Sequence, residues 1–322
     1  MKAIQVDGRE LRWEDVVEPP LGVGEVRIAN QATALNRADL AQRAGHYAPP
    51  SGASSILGLE CAGVVEAVGE GVGRVREGDH VCALLAGGGY AETVVVPAGQ
   101  VLPVPEGLSF HQAAALPEVF ATAYLNLYME AYLEPGEFVL LHAGASGVGT
   151  AAIQLCTAFD NPCFVTAGSS EKVGRCVELG AADGCDRNAV HFVEEVPRWT
   201  AQHGMDVILD PVGGVYFESN LASLAVDGRL ILIGLLDGAT APIALGAMMS
   251  RRLRVIGSTL RGRSIAAKAR VMDALRERVW PLIEAGQIHP IIETVMPVTE
   301  ADQAHQLLSK NGTFGKVVLD IP

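Results

Sequence analysis

No apolar run in this sequence comes near the roughly 20 residues that a membrane-spanning helix needs; the longest, such as Leu230–Leu236, stop far short of it. A membrane partner is not expected. No CxxC pair occurs either, and the six cysteines, at positions 61, 82, 156, 163, 176 and 185, stand singly in apolar or helical-looking segments. That argues against a disulfide framework and a cysteine-built metal site, and reads these side chains as small buried hydrophobes. Charge is scarce, at 19% of residues, and its balance is acidic, with a formal net charge of −13. A polyanion is bound through clustered Lys and Arg, so nucleic acid is not an expected partner, although single basic residues remain to hold one phosphate. The opening Met1–Ile4 reads as a strand, without a charged region, apolar stretch and cleavage site in succession; a cytoplasmic location is expected. Low-complexity segments and internal repeats are also missing.

What the chain does have is apolar content, 49% of 322 residues, enough for a large core and for two domains rather than one. Its first hundred residues are rich in glycine, proline and short β-branched runs such as Val64–Val68 and Glu92–Val96, which predict an all-β, barrel-like unit. From about Ser109 the pattern changes. Gln112–Leu116 and Ala121–Tyr132 look helical, and a strand–helix alternation follows. Phe138–Leu141, Cys163–Thr166, Val207–Leu209 and Leu230–Ile233 are short continuous apolar runs, the signature of parallel strands buried on both faces. A doubly wound sheet is therefore expected, with its ligand site beyond the carboxyl ends of the strands. After Val255-Ile256 come a helical segment, Ser264–Ala285, and a strand-like close, Lys316–Leu319, which is expected to return to the first domain.

The strand ending at Leu141 runs into Ala143-Gly144-Ala145-Ser146-Gly147-Val148-Gly149-Thr150 and then a helix-like stretch. This is the setting a dinucleotide site requires: glycines let the backbone approach a pyrophosphate, and the amides and partial positive charge of the helix N-terminus stabilise it. The spacing departs from GxGxxG. NAD sites commonly carry an acidic residue at the end of the second strand to hold the ribose 2′-hydroxyl. Here that strand ends in Gly168-Ser169, uncharged and small. Lys172 and Arg187 can supply positive charge to a 2′-phosphate, with Glu171 blunting it, so NADPH is the expected cofactor.

Together with Ala34–Leu40, Gly58–Gly63, Arg43–Tyr47, Gly87–Gly89, Leu116-Pro117-Glu118 and Gly315–Val318, these segments resemble the zinc-independent quinone oxidoreductase branch of the medium-chain dehydrogenase/reductase family, nearest to its tumour-suppressor-inducible type. The resemblance covers essentially the whole chain. It implies a chaperonin-10-like (GroES-like) β-barrel catalytic domain, residues 1–118 and 258–322, into which a Rossmann domain with a doubly wound parallel sheet, residues 119–257, is inserted. It also implies a homodimer through the Rossmann edge strands, with Val255–Ser258 as the candidate edge. Zinc-dependent relatives carry a cysteine where this chain has Asn36 and a histidine where it has Leu59. No metal is therefore expected.

By the same resemblance, Ser146, Gly147 and Val148 serve the pyrophosphate, and Gly168, Ser169, Lys172 and Arg187 the 2′-phosphate end. Arg187 stands where relatives often have tyrosine. Asn36 contacts the cofactor near the nicotinamide, unless it only holds its own turn, and Gly234-Leu235-Leu236 passes beside the ring. Tyr47 is the candidate substrate contact, by stacking and hydrogen bonding, or else an ordinary half-buried loop tyrosine. Lys316 either reaches the cofactor or faces solvent. The expected activity is NADPH-dependent hydride transfer to a quinone or activated alkene. The rivals are an enone, alkenal or enoyl reductase, which needs a proton donor that Tyr47 could be, and a noncatalytic NADPH-binding structural or RNA-binding protein.

Overall fold

The computed structural model describes residues 1–8 and 10–322. The chain divides into two units, one made of Met1–Ala121 with Leu260–Pro322 and the other of Thr122–Thr259. In the first, strands β1 (Lys2–Asp7) and β2 (Glu10–Asp15) pair antiparallel. They are followed by β3 (Glu25–Ala34), β4 (Glu60–Val68), β5 (His80–Leu84), β6 (Thr93–Pro97) and β7 (Val101–Pro103). The long β3 alternates in its first half, Val26, Ile28 and Asn30 facing in, as a strand with one wet face must. Val26, Ile28, Cys61, Val65, Val81, Val94 and Val96 close into one apolar core.

The second unit contains β8 (Val139–Leu141), β9 (Cys163–Ala167), β10 (Asp183–Asp186), β11 (Met205–Asp210), β12 (Leu224–Leu232) and β13 (Arg254–Gly257). They form one parallel sheet in the order β10-β9-β8-β11-β12-β13, the doubly wound Rossmann arrangement, whose switch point lies between β8 and β11. β8 and β9 are buried at every position, which is why both read as unbroken apolar runs. β10 does not read so, because its sequence is Asp-Gly-Cys-Asp. Its glycine is required by close approach: a Cβ on Gly184 would stand 2.5 Å from a Val165 methyl and 2.8 Å from the Val165 carbonyl oxygen.

The chain then returns to the first unit. The segment expected to be one helix from Ser264 to Ala285 is two, Ile265–Arg278 and Trp280–Glu284, because Pro281 supplies no amide to continue the first. Strand β14 (Ile292–Pro297) lies parallel to β15 (Lys316–Asp320), and β15 runs antiparallel to β3, giving the order β14-β15-β3-β4-β5-β7 with β6 also on β3. The stretch expected to be helical from Ala121 to Tyr132 is the α-helix Pro117–Tyr124 followed by a π-helical turn, Leu125–Glu130. Among the described residues no helix is long and apolar enough to cross a membrane.

Candidate functional site

The glycine loop joins β8 to the helix Gly147–Ala158. Ser146 is the N-cap: its Oγ accepts from the Gly149 amide at 3.1 Å, satisfying one of the orphan donors of the first turn. The amides of Gly147 and Val148 have no acceptor among the described residues, so two donors at the positive end of a twelve-residue helix stay open to an anion. The glycines have different tasks. A Cβ on Gly149 would stand 2.5 Å from the carbonyl oxygens of Ala143 and Gly144, and one on Gly144 would meet Val165 at 2.7 Å. Gly149 therefore serves tight backbone packing and Gly144 makes room for the Val165 side chain, tasks that the shifted spacing concealed.

Behind this loop a buried polar chain fixes the switch point. Asp210 accepts the amides of Val212 and Gly213 and the Asn220 Nδ2. That orientation leaves the Asn220 Oδ1 as acceptor, so His142 donates from Nε2 at 2.7 Å, and its Nδ1 receives the Thr166 hydroxyl at 3.0 Å. Burial holds this neutral imidazole down to about 4, and burial lifts the Asp210 carboxyl to about 6 against its backbone donors. Gly234, on the loop that follows β12, packs against this turn, where a Cβ would stand 2.7 Å from the Pro211 carbonyl oxygen. Leu235 and Leu236, just beyond it, are more than half exposed.

At the carboxyl end of β9, Ser169 caps the helix Ser170–Glu178 by accepting the Lys172 amide at 3.2 Å. Arg187 donates its amide to the Ala167 carbonyl at 3.0 Å, and its guanidinium lies 3.8 Å from where a Gly168 Cβ would stand. The structure thus brings Gly168, Ser169 and Arg187 together, with Lys172 in the first turn of the adjoining helix. Sequence reasoning overlooked Asp186 here. This acid ends β10 and accepts from the Asn188 amide at 2.9 Å and the Ser170 hydroxyl at 3.5 Å.

In the first unit, Asn36 and Lys316 meet. Lys316 is 4% exposed and gives its three N–H groups to Glu60 Oε1 at 2.7 Å, Asn36 Oδ1 at 2.8 Å and the Leu35 carbonyl at 2.5 Å. It does not face solvent. The Asn36 amide also donates to Glu60 Oε1 at 2.9 Å, while its backbone N–H goes to Asp39 Oδ2 at 2.7 Å. Asn36 therefore holds its turn through its backbone and the ionic cluster through its side chain. The second oxygen of Glu60 accepts the Glu118 amide at 2.9 Å. Asp39, fully buried, is lifted to about 6, chiefly by burial.

Tyr47 is partly buried under the Arg261 guanidinium, whose carbon lies 5.2 Å from the ring centre, a cation–π contact. Arg261 is itself clamped by the Ala86 carbonyl at 2.8 Å and the Gln42 side chain at 2.6 Å. Burial and then the Glu118 charge push the Tyr47 phenol up. Glu118 and Arg261 carried no expected role, although Leu116-Pro117-Glu118 stood among the resembling segments; nothing in the sequence singled out Arg261.

Two family patterns match, one described as alcohol dehydrogenase GroES-like domain over residues 22–106 and one as zinc-binding dehydrogenase over residues 147–277. The mouse (Mus musculus) synaptic vesicle membrane protein VAT-1 homolog is 31% identical over 327 residues, spanning 97% of this chain and 80% of that protein. Among solved structures, an NAD-dependent alcohol dehydrogenase superposes with a TM-score of 0.87 at 33% identity over 100% of both chains. The Escherichia coli quinone oxidoreductase complexed with NADPH does so with 0.87 at 27% identity, over 99% of this chain and 98% of that one. The chain belongs to the medium-chain dehydrogenase/reductase family, in its quinone oxidoreductase and VAT-1 branch. It is an oxidoreductase of that family, for which NAD(P) binding is typical.

Zinc does not fit the residues present. Leu59 is buried and apolar, Glu60 already serves Lys316, Asn36 and Glu118, and the described residues contain no group of three His, Cys, Asp or Glu able to hold a metal. A nicotinamide dinucleotide does fit: the open Gly147 and Val148 amides and the small, uncharged Gly168-Ser169 strand end suit its phosphates.

Proposed function

We propose that this protein is an NADPH-dependent, zinc-independent reductase whose acceptors are quinones and similar planar, electron-poor molecules. One observation carries the reading: Lys316 fills, with Asn36 and Glu60, the cluster where zinc-dependent relatives coordinate metal, so nothing there polarises an unactivated carbonyl. When bound, the nicotinamide supplies the hydride. Ser146, Gly147 and Val148 hold the pyrophosphate. Gly168, Ser169, Lys172 and Arg187 hold the 2′-phosphate, with Asp186 moderating their field. Gly234, Leu235 and Leu236 pass beside the ring. Asn36 contacts the nicotinamide end, and Lys316 acts through it. Tyr47 stacks on the acceptor. The likeness to the tumour-suppressor-inducible type rests on the motifs alone, and a homodimer through β13 is part of the same reading.

NADPH oxidation followed with a panel of ortho-quinones, enones, simple ketones and alcohols tests this directly, beside elemental analysis for zinc. Quinone turnover without bound zinc is expected; alcohol oxidation that is lost on chelation overturns the reading. Lys172→Ala and Arg187→Ala should each weaken NADPH by about tenfold, the loss of one charge-assisted hydrogen bond, less where salt screens it, and leave NADH unchanged. An unaltered NADPH-to-NADH ratio in both variants removes them from the 2′-phosphate site. Enone reduction is the second reading, favoured by the acidic groups beside Tyr47. Cofactor binding with no turnover on any acceptor instead supports the noncatalytic role.

A further inference from the structure

Glu118 is the second residue of the helix Pro117–Tyr124, in its first turn. Its amide is pinned to Glu60 Oε2 at 2.9 Å, and Glu60 is the carboxylate shared by Asn36 and Lys316. The Glu118 backbone is thus fixed one hydrogen bond from the Asn36 cluster. Its own carboxyl is not engaged: Oε2 is buried without a hydrogen-bond partner, and no described cation pairs with it. A buried acceptor left unmade costs free energy, and the neutral acid is the form that tolerates such a place.

We propose that Glu118 is the proton donor of the reduction, delivering its carboxyl proton to the acceptor beside Tyr47. The proposal rests on the reductase reading above. The charged and titratable groups facing Glu118 come from several elements: Glu60 on β4, Lys316 on β15, Asp39 on the helix Arg37–Arg43, Lys268 on the helix Ile265–Arg278, and Tyr47 and Arg261 on loops. Lys316 is committed to Glu60. Lys268 donates to the Arg261 carbonyl at 3.3 Å, and Arg261 spends its donors on neutral acceptors. Burial, then Glu60, lift the Glu118 carboxyl to about 8, so it carries its proton at neutral pH and releases it to a stronger base.

The balance is simple. Reduction brings two electrons and one hydrogen to the acceptor as hydride, leaving an oxyanion or carbanion. The Glu118 O–H bond then breaks as an O–H or C–H bond forms on the acceptor, and the Glu118 carboxylate recovers a proton from water before the next cycle. Tyr47, whose phenol is raised rather than lowered, positions the acceptor and keeps its own proton.

Two measurements test this. Infrared difference titration of the protein without acceptor or cofactor should show a protonated carboxyl at neutral pH that disappears around pH 8 and is missing in Glu118→Gln. With NADPH and an ortho-quinone, kcat should be level below pH 8 and fall above it. Glu118→Gln should lower kcat by about 10²- to 10⁴-fold and abolish that fall, and Glu118→Asp should restore it with a displaced midpoint. A carboxyl that titrates in the ordinary range, or Glu118→Gln with the rate and profile of the unmutated enzyme, overturns the proposal. Should the unmutated protein reduce no acceptor at all, the reductase reading itself fails, and the infrared titration separately reports whether Glu118 holds its proton.

Discussion

At the scale of the residue, the buried titratable side chains pull stability in opposite directions. His142 and His305 are both held down to about 4, chiefly by burial. A histidine lowered in the folded state contributes stability that is whole above its unfolded value, near 6.5, and is lost as the pH falls through 4. Asp39 and Asp210, lifted to about 6, do the reverse: their contribution is whole below the ordinary aspartate value and is lost as the pH rises through 6. The windows overlap, so the unmutated protein should show only a shallow acid dependence. His142→Gln keeps an amide for Thr166 and Asn220 but removes one of the opposing groups. Its stability relative to the parent should rise as the pH is lowered from 6.5 to 4, by up to about 1.4 kcal/mol per pH unit. Urea midpoints at pH 7, 6 and 5 measure this, and a difference that does not move with pH sinks the argument.

At the scale of the element, the strand, loop and helix around Gly147 were legible because burial on both faces and a glycine turn leave a local pattern. Lys316 was not: its partners Glu60, Asn36 and Leu35 lie some 250 residues or more away in sequence, and only the return of β15 onto β3 brings them together. β10 escaped for a different reason, since packing against Val165 demands a glycine that propensity counts against a strand. Leu116-Pro117-Glu118 was visible as a resembling segment, yet its chemistry depends on the burial of the Glu118 Oε2, in a residue that is itself only partly buried, next to Glu60. The roles of glycine can be separated by experiment. Gly149→Ala drives a methyl group into two carbonyl oxygens 2.5 Å away and should lower both stability and NADPH affinity by tenfold or more. Gly174, inside the helix Ser170–Glu178, has nothing within 4 Å of its added Cβ, so Gly174→Ala should stabilise by about 0.5–1 kcal/mol. Calorimetry and NADPH titration of the two variants check both; an innocuous Gly149→Ala removes the steric account of the loop.

At the scale of the molecule, β13 ends the six-stranded order with β12 on one side only. A strand edge carries unpaired backbone groups and is a template for another strand, here that of a second copy under the proposed dimer. Ile256→Lys puts a charge into that edge and should convert a dimer to a monomer in sedimentation, with Tm recorded to separate dissociation from unfolding. A variant that stays dimeric moves the interface elsewhere. The closure of the first unit by β15 also bears on how the protein is made. Thr122–Thr259 is one continuous stretch and can fold while the ribosome is still at work, whereas the Ala32–Ala34 end of β3, beyond the part that β6 pairs, waits with one flank unpaired until Lys316–Asp320 emerges. The half-finished chain therefore exposes a sticky strand and an unneutralised Glu60 through most of translation, and nascent-chain chaperones should engage it longest over that interval.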